Sequence, residues 1–333
     1  MGTHWHATLL IIFIMILICP FGWRRSKRNN VQANNKQQLL LAERLKSHVY
    51  KLSQEIGDRN AAKYQKLNLA AEYITQQLEK YGYQPIYQKY IVAGKEVVNI
   101  IAIKIGIKTP DNIILTGAHY DTRANPGADD NASGVAGLLE LARLLSKIPT
   151  NNTIKFVAFV NEEQPFFKTK DMGSLVYAKE ARKRGENLVA VIILEMIGYY
   201  RCTPFSQKYP PLFGFFYPNK GDYIAVIGDF HSKSLVNKVM TTFKNHSQFP
   251  IESVTTFGFI PGVNYSDHWS FWQEGYQAIM ITDTSFYRNH NYHRQSDTFD
   301  TLNYRSMSQL VEGLLASIVD FGNTIGHIDS TKD

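Results

Sequence analysis

GAHYDTRANPGADDNASG, residues 117–134, is the stretch from which the rest of the chain can be read. An apolar run, Ile113 to Thr116, leads into it, and a helical pattern, Val135 to Leu145, leads out. Strand, polar loop and helix in that order put His119, Asp121, Asp129 and Asp130 outside the carboxyl end of a strand, where open α/β sheets keep their sites. Imidazole and carboxylate together suit zinc, and a carboxylate shared by two ions suits two-metal hydrolysis. Asp and Asn are also good helix N-caps, so the loop taken alone fits an ordinary acidic turn equally well.

The flanking chain breaks the tie. The run Thr153–Val160 (TIKFVAFV) ends in Asn161-Glu162-Glu163, and Leu188–Leu194 (LVAVIIL) ends in Glu195. Gln277–Thr282 opens onto a loop that reaches Tyr292 and His293, and Tyr223–Ile227 is a further short apolar run. Tyr90–Ile107 reads as one or two strands whose near-continuous β-branched residues fit a sheet covered on both faces. Apolar residues recur at helical spacing over Leu39–Ile56 and over Asn60–Tyr81, where Leu67, Leu69, Ala70, Tyr73, Ile74 and Leu78 form one face. A closing helix runs from about Tyr304 to Phe321. Strands of this length alternating with helices predict an α/β fold, a mostly parallel central sheet flanked by helices on both faces, in one catalytic domain over residues 39–333.

His119 and Asp130, the pair Glu162-Glu163, Glu195 and His293 thus fall at the C-terminal ends of four strands, which is the pattern of a metal site assembled across the chain. Adjacent glutamates on an extended strand end point to opposite sides, so one can reach a metal while the other faces water. Ser266-Asp267-His268 suggests a Ser-His-Asp hydrolase, but consecutive residues cannot adopt that geometry; Asp267 and His268 fit the start of a helix at the pocket rim. His231, His246 and His290 read as surface residues, with His290 a rival to His293 as ligand.

Composition sets outer bounds. A chain of 333 residues, 44% hydrophobic, can bury a sizeable core. The net charge is +7, with four positive charges in Arg24, Arg25, Lys27 and Arg28, so the balance is local and makes no case for nucleic acid. Of two cysteines, only Cys202 lies in the body, which excludes an internal disulfide there and a Cys-rich zinc site. Ala7–Trp23 is almost wholly apolar, slightly short of the ~20 residues that cross a bilayer comfortably. It lacks the leading positive charge and small-residue end of a cleaved signal, so residues 1–28 read as an uncleaved membrane anchor with a basic cluster, and residues 29–38 as a polar linker.

The ordered set H-x-D, G-A-D-D-N-A-S-G, N-E-E, E-M-I-G and Y-H-x-x-x-D-T, from about Val97 to Leu310, resembles the co-catalytic zinc aminopeptidases. These form metallopeptidase family twenty-eight, which also holds glutamate carboxypeptidase and glutaminyl cyclase. The resemblance implies two zinc ions per chain: His119 and Glu195 on one, Glu163 and His293 on the other, and Asp130 bridging both. It implies Glu162 as general base, Asp121 beside the His119 imidazole fixing its tautomer, a strained peptide between Asp130 and Asn131, and Tyr292 as oxyanion donor with Tyr287 in reserve.

Two departures stand out. Aspartate is commoner at the position of Glu195, and Gln164-Pro165-Phe166-Phe167 replaces a Gly-Leu turn, either as a loop insertion or as an apolar wall from Phe166 and Phe167. The expected substrate is a peptide with an apolar N-terminal residue. A glutaminyl cyclase-like acyltransferase using one zinc, or a receptor-like binding domain without metals, would follow if the second site or the base were missing. The resemblance favours an exported body, periplasmic or extracellular, whereas the basic run after the leader would hold it in the cytoplasm; export is the expectation.

Overall fold

The computed structural model describes residues 35–324. The anchor segment read at Ala7–Trp23 lies outside the described residues, and among these no helix is long and apolar enough to cross a membrane. Helix α1 spans 35–50, so it begins inside the stretch read as linker, and it runs on into a π turn, Lys51–Ile56. Helix α2 (Tyr64–Lys80) starts later than its spacing suggests because the Asn60 side chain accepts the amides of Ala62 and Lys63 and holds a turn there. Its inner face is Leu67, Ala70, Ile74 and Leu78, while Leu69 is 52% exposed, contrary to expectation.

One eight-stranded sheet in the order β1-β2-β4-β3-β5-β8-β6-β7 carries the fold. Its strands are β1 (Ile86–Val92), β2 (Lys95–Lys104), β3 (Thr109–His119), β4 (Asn152–Phe159), β5 (Asn187–Glu195), β6 (Ile224–Gly228), β7 (Ile251–Thr255) and β8 (Ala278–Thr282). The central block β4-β3-β5-β8 is parallel. Strand β2 joins it antiparallel on one side and β6 antiparallel on the other. The run read as Tyr90–Ile107 is a hairpin, turning at Ala93-Gly94 with φ of 49° and 77°. Two positive φ values match the twist of flanking strands. Strand β1 is the sheet edge and is half exposed rather than covered. Strand β7 was not foreseen: IESVT is short, follows Pro250, and only Ile251 is buried.

Helices α3 (Gly134–Leu145), α4 (Gly173–Lys183), α5 (Lys233–His246), α6 (His268–Gln273) and α7 (Tyr304–Asn323) complete the chain. Strands β4 and β5 are buried along nearly their whole length. Side chains from both sheet faces enter two cores: Ile114, Phe156, Ile192 and Leu194 pack with α3 and α7, Leu115, Val157, Val191 and Ile193 with α4 and α6. Each such side chain adds about 1.5–3 kcal/mol on burial. This two-sided cover obliges parallel strands to end at a common edge, and polar side chains placed just past those ends converge.

Candidate metal centre

The loop after β3 is built to grip the end of β5. Asn131 donates through Nδ2 to Leu194 O at 2.9 Å, and its Oδ1 accepts the amides of Gly134 and Met196 at 3.0 Å each. Ser133 Oγ accepts from Ile197 N–H, and Asp129 Oδ1 from Gly198 N–H, both at 2.9 Å. The Asp130–Asn131 peptide is cis. A Cβ on Gly134 would come within 2.2 Å of Asn131 Oδ1 and 2.6 Å of Leu194 O, so the last residue of the motif has to be glycine. The motif residues that are not ligand candidates therefore fix where Glu195 lies.

Two further carboxylates each clamp a pair of consecutive amides. Asp121 accepts from Glu162 N–H and Glu163 N–H, at 3.1 Å each. Asp297 accepts from Asp129 N–H at 2.9 Å and Asp130 N–H at 3.1 Å. Glu162 and Glu163 lie past β4 rather than on it, because Asn161 turns left-handed (φ 61°) and ends the strand. It is this turn and the Asp121 clamp, not strand alternation, that separate the two side chains. Met196 (φ 51°) and His293 (φ 57°) are left-handed too. Non-glycine residues in that region cost about 1–3 kcal/mol each and gather at functional sites.

With these supports the six residues foreseen from sequence come together. Asp130 Oδ1 lies 3.3 Å from His119 Nε2, and Asp130 Oδ2 lies 3.1 Å from His293 Nε2. Glu195 Oε2 is 3.3 Å from His119 Nε2, and Glu163 Oε1 is 3.2 Å from His293 Nε2. His119, Asp130 and Glu195 form one group of converging ligand atoms; Asp130, Glu163 and His293 form another. The edge of a tetrahedron with bonds of about 2.0–2.1 Å is about 3.3–3.4 Å, so both groups have the spacing of zinc ligands. His119 Nε2, His293 Nε2 and Glu163 Oε1 are buried without a hydrogen-bond partner. Buried polar atoms are normally satisfied, and a cation held in each group would satisfy them. The donor set and its spacing fit two divalent ions.

The charges agree. Burial opposes protonation of His119, but Glu195 and Glu162 beside it hold its pKa well above the ordinary value. His293, likewise resisted by burial, is held up to about 9 by Asp130 and Glu163. Burial and then Asp130 push Glu163 up to about 7. Glu162 is outside both groups, 3.9 Å from His119 Nε2, and burial drives its carboxyl well above the usual range against the pull of His119. This is a cavity short of positive charge.

Asp121 lies 3.5 Å from His119 Nδ1, too long for a hydrogen bond, because its oxygens are aimed at the two amides. Tyr292 stacks on His293 with ring centroids 3.7 Å apart. Burial, then Asp130 and Glu163, raise its phenol far above the ordinary value, so it stays protonated and can donate. Tyr287 donates to Pro261 O instead. His290 is exposed beside Tyr199 and belongs to neither ligand group. Phe166 packs against the main core and Phe167 meets Tyr265 edge-on, so neither lines the apolar pocket beside the centre, and of the two readings of this stretch the apolar wall is the one that does not hold.

Sequence reasoning missed three supports. Ser266 donates to Glu195 Oε2 at 2.7 Å, and His268 Nε2 is 2.7 Å from Val263 O, so the Ser-Asp-His run is no triad. Asp297 lay within the quoted motif without an assigned role. Arg59, fully buried, donates to the carbonyls of Tyr120, Pro126 and Gly127 at 2.7, 2.8 and 3.0 Å, holding the loop at both its ends. Burial lowers its pKa to about 10 although Asp121 opposes this. Arg59→Leu leaves those carbonyls unpaired and is expected to cost about 3–5 kcal/mol of stability. An unchanged urea midpoint would refute that role.

Residues 99–318 match the family model described as Peptidase family M28. Over 283 residues the chain is 41% identical to YfbL of Escherichia coli K12, an uncharacterized protein, covering 82% of this chain and 86% of that one. Among solved structures it is similar to BSAP, a zinc aminopeptidase from Bacillus subtilis, with a TM-score of 0.68 over 85% of this chain and 95% of that one at 16% identity. A glutaminyl cyclase from Porphyromonas gingivalis gives a TM-score of 0.64 over 84% and 98% at 20% identity. At such identities the structural likeness speaks for the fold alone.

Proposed function

The chain belongs to peptidase family M28, and from that premise we propose that it is a zinc-dependent aminopeptidase with two ions per chain. One observation carries the reading. The two oxygens of Asp130 face different histidines, His119 and His293, at 3.3 and 3.1 Å, as a bridging carboxylate must. In this reading His119, Asp130 and Glu195 hold one zinc, and Asp130, Glu163 and His293 the other. When bound, such a pair acidifies water and polarises the scissile carbonyl.

The chain's own residues do the rest. Glu162 takes a proton from the attacking water and delivers it to the leaving nitrogen as the C–N bond breaks. Burial raises its proton affinity, which would help it keep that proton between the two steps, while ions in the two groups would offset the rise and leave it ionised before the water attacks. Tyr292 donates its hydroxyl hydrogen to the oxyanion. Glu162 and Glu195 favour a substrate ammonium, which an aminopeptidase needs and an endopeptidase does not. Beside them opens an apolar pocket walled by Tyr209, Phe213, Val263, Met280 and Phe286, with Glu195 and Tyr292 in its lining. It suits a large apolar first residue.

The test is turnover of leucine- and phenylalanine-anilides by the full chain in detergent, after chelation and after zinc is returned, with metal content measured alongside. Activity lost to the chelator and restored at about two zincs per chain is the expected result. A single zinc together with cyclisation of an N-terminal glutaminyl peptide would replace this reading with the acyltransferase. Failure to bind zinc at all would leave a binding domain.

A further inference from the structure

Lys168 lies in the loop between β4 and α4, where Gln164-Pro165-Phe166-Phe167 stands in place of the shorter turn. Its backbone is left-handed (φ 57°), and its amide is 3.4 Å from Met172 Sδ. The ammonium sits over three rings, with Nζ 5.1 Å from the centroid of Phe167, 5.3 Å from Tyr265 and 5.4 Å from Trp269. Ring faces attract a cation through their quadrupoles. They accept no conventional hydrogen bond, so the three N–H donors of the ammonium remain available. No salt bridge within 4.0 Å engages it among the described residues. Burial lowers its pKa, and Glu162 is near enough to oppose that shift. A cation is therefore held over three rings, within electrostatic reach of the proposed base and with no ion-pair partner among the described residues.

Tyr265 sets the direction. It lines the apolar pocket and also lies under Lys168, which is not part of the pocket wall. Tyr265 thus stands between the pocket and the ammonium, so a substrate whose first side chain fills the pocket meets Lys168 with a part that reaches past Tyr265. We propose that Lys168 is the receptor for a substrate carboxylate on the leaving-group side, so that short peptides bearing a free carboxylate just after the first residue are the preferred substrates. The proposal rests on the exopeptidase reading above. The carboxylate is a C-terminus or an acidic second side chain, and the two have the same chemistry at the ammonium.

Specificity constants of the zinc-loaded full chain for Leu-Ala, Leu-Ala-amide, Leu-Asp-amide and leucine-anilide test it. In the wild type, Leu-Ala or Leu-Asp-amide should exceed Leu-Ala-amide by about tenfold or more, the usual yield of one charge-assisted hydrogen bond. Whichever does so identifies the carboxylate. Lys168→Met keeps a long apolar side chain over the rings and should bring that ratio to about one, while Lys168→Arg should retain most of it. Using ratios within each variant cancels any general loss of folding or turnover. Anilide cleavage with no carboxylate preference in the wild type would overturn the receptor and leave the peptidase reading standing. A preference that survives Lys168→Met would remove Lys168 from the role, and no cleavage of any of the four substrates would sink both readings.

Discussion

Glu162→Gln is expected to lower kcat by about 10²–10⁴-fold, the range assignable to a general base, while zinc content stays that of the wild type. The two halves of this result come from different distances. Glu162 belongs to neither group of converging ligand atoms, and its approach to His119 Nε2 is 3.9 Å against 3.1–3.3 Å for the ligand contacts. Its amide stays clamped on Asp121 whatever the side chain. Glutamine keeps the shape and loses the ability to hold a transferred proton. Elemental analysis and kinetics on the same preparation check it. Loss of zinc would make Glu162 a ligand, and retained turnover would transfer the base to another group.

Asp130→Asn should have the opposite signature, with metal lost first and activity with it. Asn has one acceptor oxygen where the bridge needs two, and its amide nitrogen would point donors at either His119 or His293. Both imidazoles owe their raised proton affinity in part to Asp130. Removing its charge weakens their hold on any cation between them. Zinc affinity should fall by at least about 100-fold, above the 10–100-fold typical of losing an outer partner, and bound zinc below one per chain. Equilibrium dialysis measures this, with circular dichroism to confirm the fold. Two zincs retained at wild-type affinity would refute the bridge.

The centre was legible because its six residues follow strand ends, and strand ends in a two-sided parallel sheet share an edge. His119, Asp130, Glu162, Glu163, Glu195 and His293 could each be placed by a run of apolar residues before it. What could not be read is whatever acts through backbone amides and carbonyls. Arg59, Asp297 and Ser266 make their contacts from loops or turns, where no periodicity says which way a side chain points. The alternation assumed for Glu162-Glu163 failed because one left-handed residue, Asn161, ended β4 early. Strand β7 escaped because a five-residue edge strand with one buried side chain carries almost no hydrophobic signal.

The clamps made by Asp121 and Asp297 have a further consequence. Within a helix or sheet, a backbone amide finds its partner in a repeating neighbour. Here the amides of Asp129, Asp130, Glu162 and Glu163 are satisfied by side chains delivered from distant parts of the chain. The loop at 128–133 takes its shape only once the chain around Asp297 has arrived, and the glutamate pair only once β3 has delivered Asp121. The motif that identifies the protein is therefore readable in isolation but not transplantable. Copied into another scaffold, residues 117–134 would carry His119 and Asp130 without the lock that aims them, and the centre can form only when the sheet has already closed.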